Sequence, residues 1–309
     1  MDQGGDQKQP DPSVRTVHIC VCICTLLRPA LLTRLLRALD AQVTGDRFTY
    51  SVVIADNDPE RSSEILVADI AASARIEIHY ASEPRKNIAL ARNTALAHAK
   101  GDYIAFIDDD EFPEANWLAT MLSACEHFGV AGILGPVRPY FEEPPPNWII
   151  VGGFCERREY PTGHIMRWED CRTGNVLFRR DITHGVEPVF DPAFGSGGED
   201  VDFFLRMMRY GFVFRWCTEG AVFEVVPRIR WTRRYMLKRA LLRGRNVLKL
   251  PVNRSALLAR SALAAPAYFA FLPIAFLLGQ HVFMKYCIKL CDHAGRILAV
   301  MRINPMSER

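Results

Sequence analysis

Between Glu224 and Asp292 the sequence has no acidic residue. From Val225 to Arg309, sixteen Lys and Arg stand against two acids, Asp292 and Glu308. That segment carries +14 and the rest of the chain −11, beneath a net formal charge of +3. A basic, apolar tail on an acidic domain points to an anionic membrane surface more than to a soluble partner. From Ser261 to Met284, 24 residues, there is no Asp, Glu, Lys or Arg at all. If helical, such a run reaches about 36 Å, enough to cross a bilayer.

Other absences narrow the class further. The nine cysteines lack the paired spacing of a zinc site and form no disulfide framework, so a reducing cytosol is expected. Cys20, Cys22 and Cys24 alternate, which suits small buried side chains on one face of a strand. Cys287 and Cys291 share a helical face, but no second pair accompanies them. Residues 1–16 are polar and lack an apolar core, which fits a disordered arm and excludes a signal peptide. There is no internal repeat.

What is present alternates. Val17–Cys24 reads as a strand and Ala30–Gln42 as a helix with Leu32, Leu35, Leu36 and Leu39 at helical spacing. Strands follow at Tyr50–Ala55, Ile76–Tyr80 and Tyr103–Ile107, with helices at Arg61–Ser73 and Ile88–Ala99 between them. This rhythm predicts an α/β fold, a mostly parallel sheet with helices on both faces. Beyond it come a helix at Trp117–Phe128 and an apolar run at Val130–Val137. The Glu142–Pro146 stretch then stops regular structure, and residues 148–168 are irregular, suiting a segment that covers substrate. A strand at Gly174–Arg179 precedes a glycine-rich turn, Gly195–Asp200, feeding a helix over Val201–Tyr210.

Asp108, Asp109 and Asp110 end the Tyr103–Ile107 strand. Adjacent carboxylates repel, and the carboxyl end of a strand is where α/β sheets bind ligands. Two readings are open: a solvated acidic turn, or a hard divalent cation carrying a phosphate. Asp200, at the start of the next helix, is either a plain N-cap or a general base.

Five segments in order resemble the family-2 glycosyltransferases, with their GT-A Rossmann-like fold, over roughly residues 17–225. They are Val17–Arg28, Val53–Asn57, Ala91-Arg92-Asn93 with Gly101–Asp110, Thr173-Gly174-Asn175, and Gly197-Gly198-Glu199-Asp200. Phe106–Pro113, Val226-Pro227 and the basic helix are similar to bacterial exopolysaccharide-type enzymes. Two departures stand out. Asn87–Leu90 lacks a glycine often found there, and Glu224 occupies the place of a metal-ligating His.

The resemblance implies inverting transfer of a sugar from a nucleotide-diphosphate donor to a hydroxyl of a glycan or lipid-linked acceptor. Thr25, Arg28, Asp56, Arg92, Asp108 and Asp109 are expected at the donor, with Asp56 on the nucleoside base. Gly174, Asn175, Gly198 and Glu199 are expected at the acceptor, and Asp200 as the base. Mg²⁺ or Mn²⁺ is expected on Asp110 and Asp108. Glu224 reads equally as a further ligand or as an ion-paired acid. A single displacement needs no nucleophilic Cys, Ser or Lys.

The chain thus divides into an arm (1–16), a GT-A domain (17–227), a basic amphipathic helical segment (228–256) and an apolar tail (257–309). Thr232 is placed to cap a helix running to about Lys249, whose basic residues either face a membrane or reach donor phosphates. Pro266 and Pro273 interrupt the apolar run, which reads as a span, a re-entrant or interfacial hairpin, or a soluble subdomain. Membrane contact on the cytoplasmic side of a bacterial inner membrane fits the basic flanks best. A nucleotidyltransferase is the enzyme rival, but Cys24–Pro29 lacks the glycine its phosphate loop needs. A silent sugar-nucleotide-binding scaffold would not need the Asp108–Asp110 and Asp200 set. Nucleic-acid binding suits the basic tail less well than a membrane does.

Overall fold

The computed structural model describes residues 16–195, 197–247 and 253–301. Residues 1–15 of the expected arm, Ser196 of the glycine-rich turn, Leu248 and Lys249 of the basic helix, and the last eight residues of the tail lie outside the described residues. In chain order the elements are β1 (Val17–Thr25), α1 (Pro29–Asp40), β2 (Phe48–Asp56), α2 (Glu64–Ala71), β3 (Glu77–Ser82), α3 (Ile88–His98), β4 (Tyr103–Ile107) and β5 (Glu111–Pro113). Next come α4 (Trp117–Phe128), β6 (Gly132–Leu134), β7 (Val137–Tyr140), α5 (Asn147–Gly152), β8 (Asn175–Arg179), α6 (Glu199–Arg209), β9 (Phe214–Trp216) and β10 (Val222–Val225). The tail holds α7 (Arg233–Asn246), α8 (Arg254–Leu277) and α9 (Gln280–Val300).

The main sheet has the order β3-β2-β1-β4-β8-β6-β9. Strands β1 to β4 are parallel, as their long apolar runs require when both faces are covered. On β1, Ile19, Val21 and Ile23 pack with the leucines of α1 and with Trp117, Leu118 and Met121 of α4. Cys20 and Cys22 face the other layer, among Ala89, Ala91 and Ala95 of α3 and Phe203 and Phe204 of α6. The alternating cysteines are therefore small core residues, and burial pushes the Cys22 thiol well above its ordinary value.

Beyond β4 the sheet departs from a simple parallel array. Strand β8 enters antiparallel between β4 and β6, which places Asn175 beside Ile107 at the edge of the acidic turn. The apolar run at 130–137 is two strands in two sheets, broken at Gly135-Pro136, where proline has no N–H for the ladder. The second sheet, β5-β10-β7, stands beside the strand ends and sets Glu224 directly opposite Glu111.

The basic helix forms where expected, with the Thr232 hydroxyl accepting from the Tyr235 N–H at 3.3 Å. Helix α9 packs between α7 and α8 and also meets α5 of the catalytic unit. The backbones of α7 and α9 approach so closely that a Cβ on Gly244 would lie 2.1 Å from the Asp292 carbonyl oxygen. One on Gly295 would lie 2.2 Å from that of Leu241. Only glycine fits at either crossing.

Candidate active site

The carboxyl ends of β1 and β4, the turn after β4, the start of β8 and the N-terminus of α6 converge. The aspartate triplet splits by position. Asp109 points back into the sheet, accepting from the Thr25 hydroxyl at 2.8 Å and from Arg28 Nη1 at 2.8 Å. Both oxygens are engaged, so Asp109 braces the β1 loop rather than meeting a ligand. Burial pushes its carboxyl up, against the opposing pull of Arg28.

Asp108 and Asp110 flank that brace. Asp108 is the open member, with 43% of its side chain exposed and Arg92 Nη2 3.5 Å from Oδ1. A Cβ on Gly174 would lie 3.2 Å from Asp108 Oδ2 and 2.7 Å from Glu111 Oε1, so glycine is what lets β8 pass this close. Asp110 is nearly buried, and Arg28 and Arg230 both reach its Oδ2, at 3.1 and 2.9 Å. Burial and the charge of Asp108 push its carboxyl up to about 6, against the pull of Arg28.

Arg92, on α3, is itself buried. It pairs with Glu199 through Nη1 and reaches Asp108 through Nη2. One guanidinium thus joins the end of β4 to the start of α6. Burial raises the Glu199 carboxyl, while Arg92 opposes the shift and Asp200 adds to it. Gly198, at φ +102°, is the N-cap of α6, so Asp200 lies one residue inside the helix and is not its cap. Its Oδ1 accepts from the Val201 N–H at 2.8 Å, and Arg172 Nε lies 3.8 Å from Oδ2. Ionised carboxylates are favoured in a first helical turn.

Beyond Asp109, two expected contacts are corrected and one open reading is decided. Asp56 is wholly buried in its own turn, accepting from the Ser63 N–H at 2.9 Å, the Tyr80 hydroxyl at 3.0 Å and the Asp58 N–H at 3.2 Å. It does not face a nucleoside. The Asn175 amide donates to the Pro136 and Gly220 carbonyls, and its Oδ1 accepts from the Trp117 indole, so it clasps the sheet instead of meeting an acceptor. Glu224 is the ion-paired acid. Burial raises its carboxyl, but Arg157 and Arg230 outweigh burial and hold it below the usual range. Two guanidiniums satisfy it without a metal.

Four residues escaped the sequence reading: Glu111, Arg157, Arg172 and Arg230. Glu111 is buried, and one of its oxygens accepts from the Asp108 N–H at 3.1 Å. Burial and the charge of Asp108 push its carboxyl well above the ordinary range. An upward shift of this kind eases the like-charge pairing with Glu224 across β5 and β10. Its Oε1, Thr173 Oγ1 and Glu199 Oε2 are buried here without hydrogen-bond partners. The signal for Arg157 was the irregular segment, and for Arg230 the basic one. Their partners, 67 and 120 residues away, were not readable.

The glycosyl transferase family 2 model matches residues 20–183, which contain most of β1, all of β2 to β8 and the whole acidic turn. The chain belongs to this family. Among relatives of this family 2 glycosyltransferase, the succinoglycan biosynthesis protein ExoM of Rhizobium meliloti (strain 1021) is 36% identical over 233 residues, covering 74% of each chain. The hyaluronan synthase of Pasteurella multocida is 23% identical over 239 residues, 66% of this chain and 24% of that protein. Among solved structures, S. aureus TarS 1-349 in complex with UDP-GlcNAc superposes with a TM-score of 0.53 at 12% identity, covering 94% of both chains. That likeness, at so low an identity, bears out the GT-A-like fold of the glycosyltransferase, including its helical C-terminal segment.

Proposed function

We propose that this glycosyltransferase moves a sugar, with inversion, from a nucleoside-diphosphate donor to a hydroxyl of a glycan or lipid-linked acceptor in polysaccharide or glycolipid assembly. The observation that carries the reading is the Arg92 bridge from Asp108 to Glu199. It binds the strand end that suits a diphosphate to the helix start that suits a base, in one cleft. The relative named for succinoglycan biosynthesis supports the polymer class. The structure bound to UDP-GlcNAc supports a nucleotide sugar as donor.

Each residue then has a role. Asp200 takes the proton of the acceptor hydroxyl as that oxygen attacks the anomeric carbon. Arg172, beside it, is placed to orient the base. Glu199, with one buried oxygen unpaired, accepts from a sugar hydroxyl. Gly198 leaves room for the acceptor, and Gly174 lets β8 pass close beside Asp108 and Glu111. Arg28 and Arg230 move from Asp110 onto the diphosphate, an exchange of one anion for another. Asp109 and Thr25 hold the loop that carries Arg28.

A divalent cation fits this set. Asp108, Asp109, Asp110, Glu111, Glu199, Asp200 and Glu224 outnumber Arg28, Arg92, Arg157, Arg172 and Arg230, and Asp108, exposed and next but one to Asp110, is the least compensated, with Arg92 3.5 Å away. Those two would hold Mg²⁺ or Mn²⁺, which when bound neutralises charge developing on the leaving diphosphate. Glu224 is not part of that set. The helical tail brings the enzyme to the cytoplasmic face of a membrane, where a lipid-linked acceptor is presented.

A donor screen tests this. The full-length protein is incubated with a panel of nucleotide sugars, membrane lipid extract and Mg²⁺ or Mn²⁺, and released nucleoside diphosphate is measured. Metal-stimulated release with at least one donor is expected. Release that is absent throughout, or uncoupled from any glycosylated product, contradicts the reading.

A further inference from the structure

Helix α8 is long and apolar enough to cross a membrane, yet only 6% of its apolar window is buried. Its packed face is narrow. Ser261 and Ala275 are buried, and Tyr268 and Phe271 meet Tyr286 of α9. Leu257, Leu258, Ala264, Ala265 and Leu272 are half-buried, and the other side chains of the helix are exposed. Arg260, Leu263, Ala267, Ala270, Ile274 and Leu277 recur at three- and four-residue spacing and share one stripe. Leu263 is 79% exposed and Leu277 84%. Phe269 and Phe276, beside this stripe, are also mostly exposed.

The partner helix decides how such a stripe can meet lipid. α9 runs back along α8, with His293 opposite Ser261 at 3.0 Å and Phe283 opposite Phe276. Over that same length α9 carries Lys285, Lys289, Asp292 and Arg296. It is locked to α7 by the Gly244 and Gly295 crossings and by the Arg243–Asp292 pair at 2.5 Å. α7 in turn begins three residues after Arg230, which is bound into the active site. If α8 stood across a bilayer, α9 would carry its four ionised side chains to hydrocarbon depth, where charges are strongly disfavoured. If α8 lies flat, they remain above the acyl chains.

We propose that α8 is an in-plane docking helix for an anionic phospholipid surface, with its apolar stripe sunk to the acyl boundary and the α7–α9 layer between the bilayer and the catalytic cleft. Charge complementarity selects that occupant. The tail from Val225 onward is +14, and its first acid is Asp292, already paired with Arg243. Because Arg230, bound at the Asp110 site, lies just three residues before α7 of this layer, the cleft is held at a fixed height over the membrane. This rests on the proposed transfer to a lipid-linked acceptor only for its purpose. Vesicle binding is scored without donor or acceptor, so the two fail separately.

The test is flotation of the full-length protein with vesicles of phosphatidylcholine, with and without phosphatidylglycerol. Binding that needs phosphatidylglycerol, weakens with salt and falls about tenfold or more in the double variant Leu263→Glu, Leu277→Glu is expected. Both positions are exposed, so the variant should keep the wild-type melting temperature and nucleoside-diphosphate release with a water-soluble acceptor. Alkaline carbonate should strip the wild-type protein from cell membranes. Retention after carbonate means that α8 spans, and overturns the proposal. So does equal binding to neutral vesicles, or a lipid-free dimer that the double variant dissociates while anionic vesicles bind neither form.

Discussion

Arg230 donates to Oδ2 of Asp110 at 2.9 Å across 120 residues of sequence, and its other terminal nitrogen pairs with Glu224. A guanidinium from the first turn of the C-terminal segment therefore closes the acidic end of β4. The tail is part of this acidic site and not only an attachment. Arg230→Ala leaves two nearly buried carboxylates short of a partner and should lower stability by about 3 kcal/mol. Arg230→Lys, which keeps the charge but loses the fork, should recover less than half of it. Urea unfolding of the two variants checks this, and an unchanged midpoint for the alanine variant would remove Arg230 from the site.

The Asp110 carboxyl gives a pH-dependent prediction. It titrates near 6 in the folded chain, against an ordinary value of 3.8. Between those values the folded chain binds more protons than the unfolded one. Ionising Asp110 therefore costs stability as pH rises through this window, and the full cost is present at pH 7. Without nucleotide or metal, Asp110→Asn should be more stable than wild type at pH 7, by at most about 3 kcal/mol. The difference should vanish below the lower value. The same variant should lose metal-dependent donor affinity. Thermal melts across pH, paired with nucleotide titrations, separate the two effects.

The Arg92–Glu199 pair should behave as a unit. Arg92→Met alone leaves Glu199 and Asp108 facing each other without their bridge and should cost about 3–5 kcal/mol. Combined with Glu199→Gln, the loss should be smaller than the sum by more than about 1 kcal/mol. Additive losses in a double-mutant cycle would mean that the bridge does not couple the two halves of the cleft.

Asn175 is predicted to matter for folding and not for chemistry. Asn175→Ala strips hydrogen bonds from the Trp117 indole and from two carbonyls, at a cost of about 3 kcal/mol. Turnover per folded molecule should stay within about threefold of wild type, since an effect confined to stability leaves the barrier of the chemical step unchanged. A large fall in turnover at unchanged stability would return Asn175 to the acceptor site.

How much was legible follows from how local each signal is. The β1 to β4 core could be read because each strand is an apolar run set between helices with leucines or alanines at helical spacing. The acidic turn and the Glu199-Asp200 pair could be read because carboxylates at strand and helix ends have few reasons to be there. Strand β8, inserted antiparallel, could not, because register between distant segments leaves no local pattern. The β5-β10-β7 sheet is made of strands of three or four residues, too short for a period. Asp56 and Asn175 were misassigned, and Glu224 was left open, for a common reason. A polar residue at a ligand-facing position of a motif reads the same whether it meets a ligand or a buried neighbour, and only the neighbour's position tells them apart. For Glu224 those neighbours were arginines 6 and 67 residues away.

The base assignment is the centre of the mechanism, and Asp200→Asn tests it most directly. The measurement pairs calorimetric donor binding with single-turnover sugar transfer on the same preparation, with Mn²⁺ present. Donor affinity within about threefold of wild type, with transfer reduced by about 10²–10⁴-fold, is the predicted result. Transfer near the wild-type rate would contradict the account.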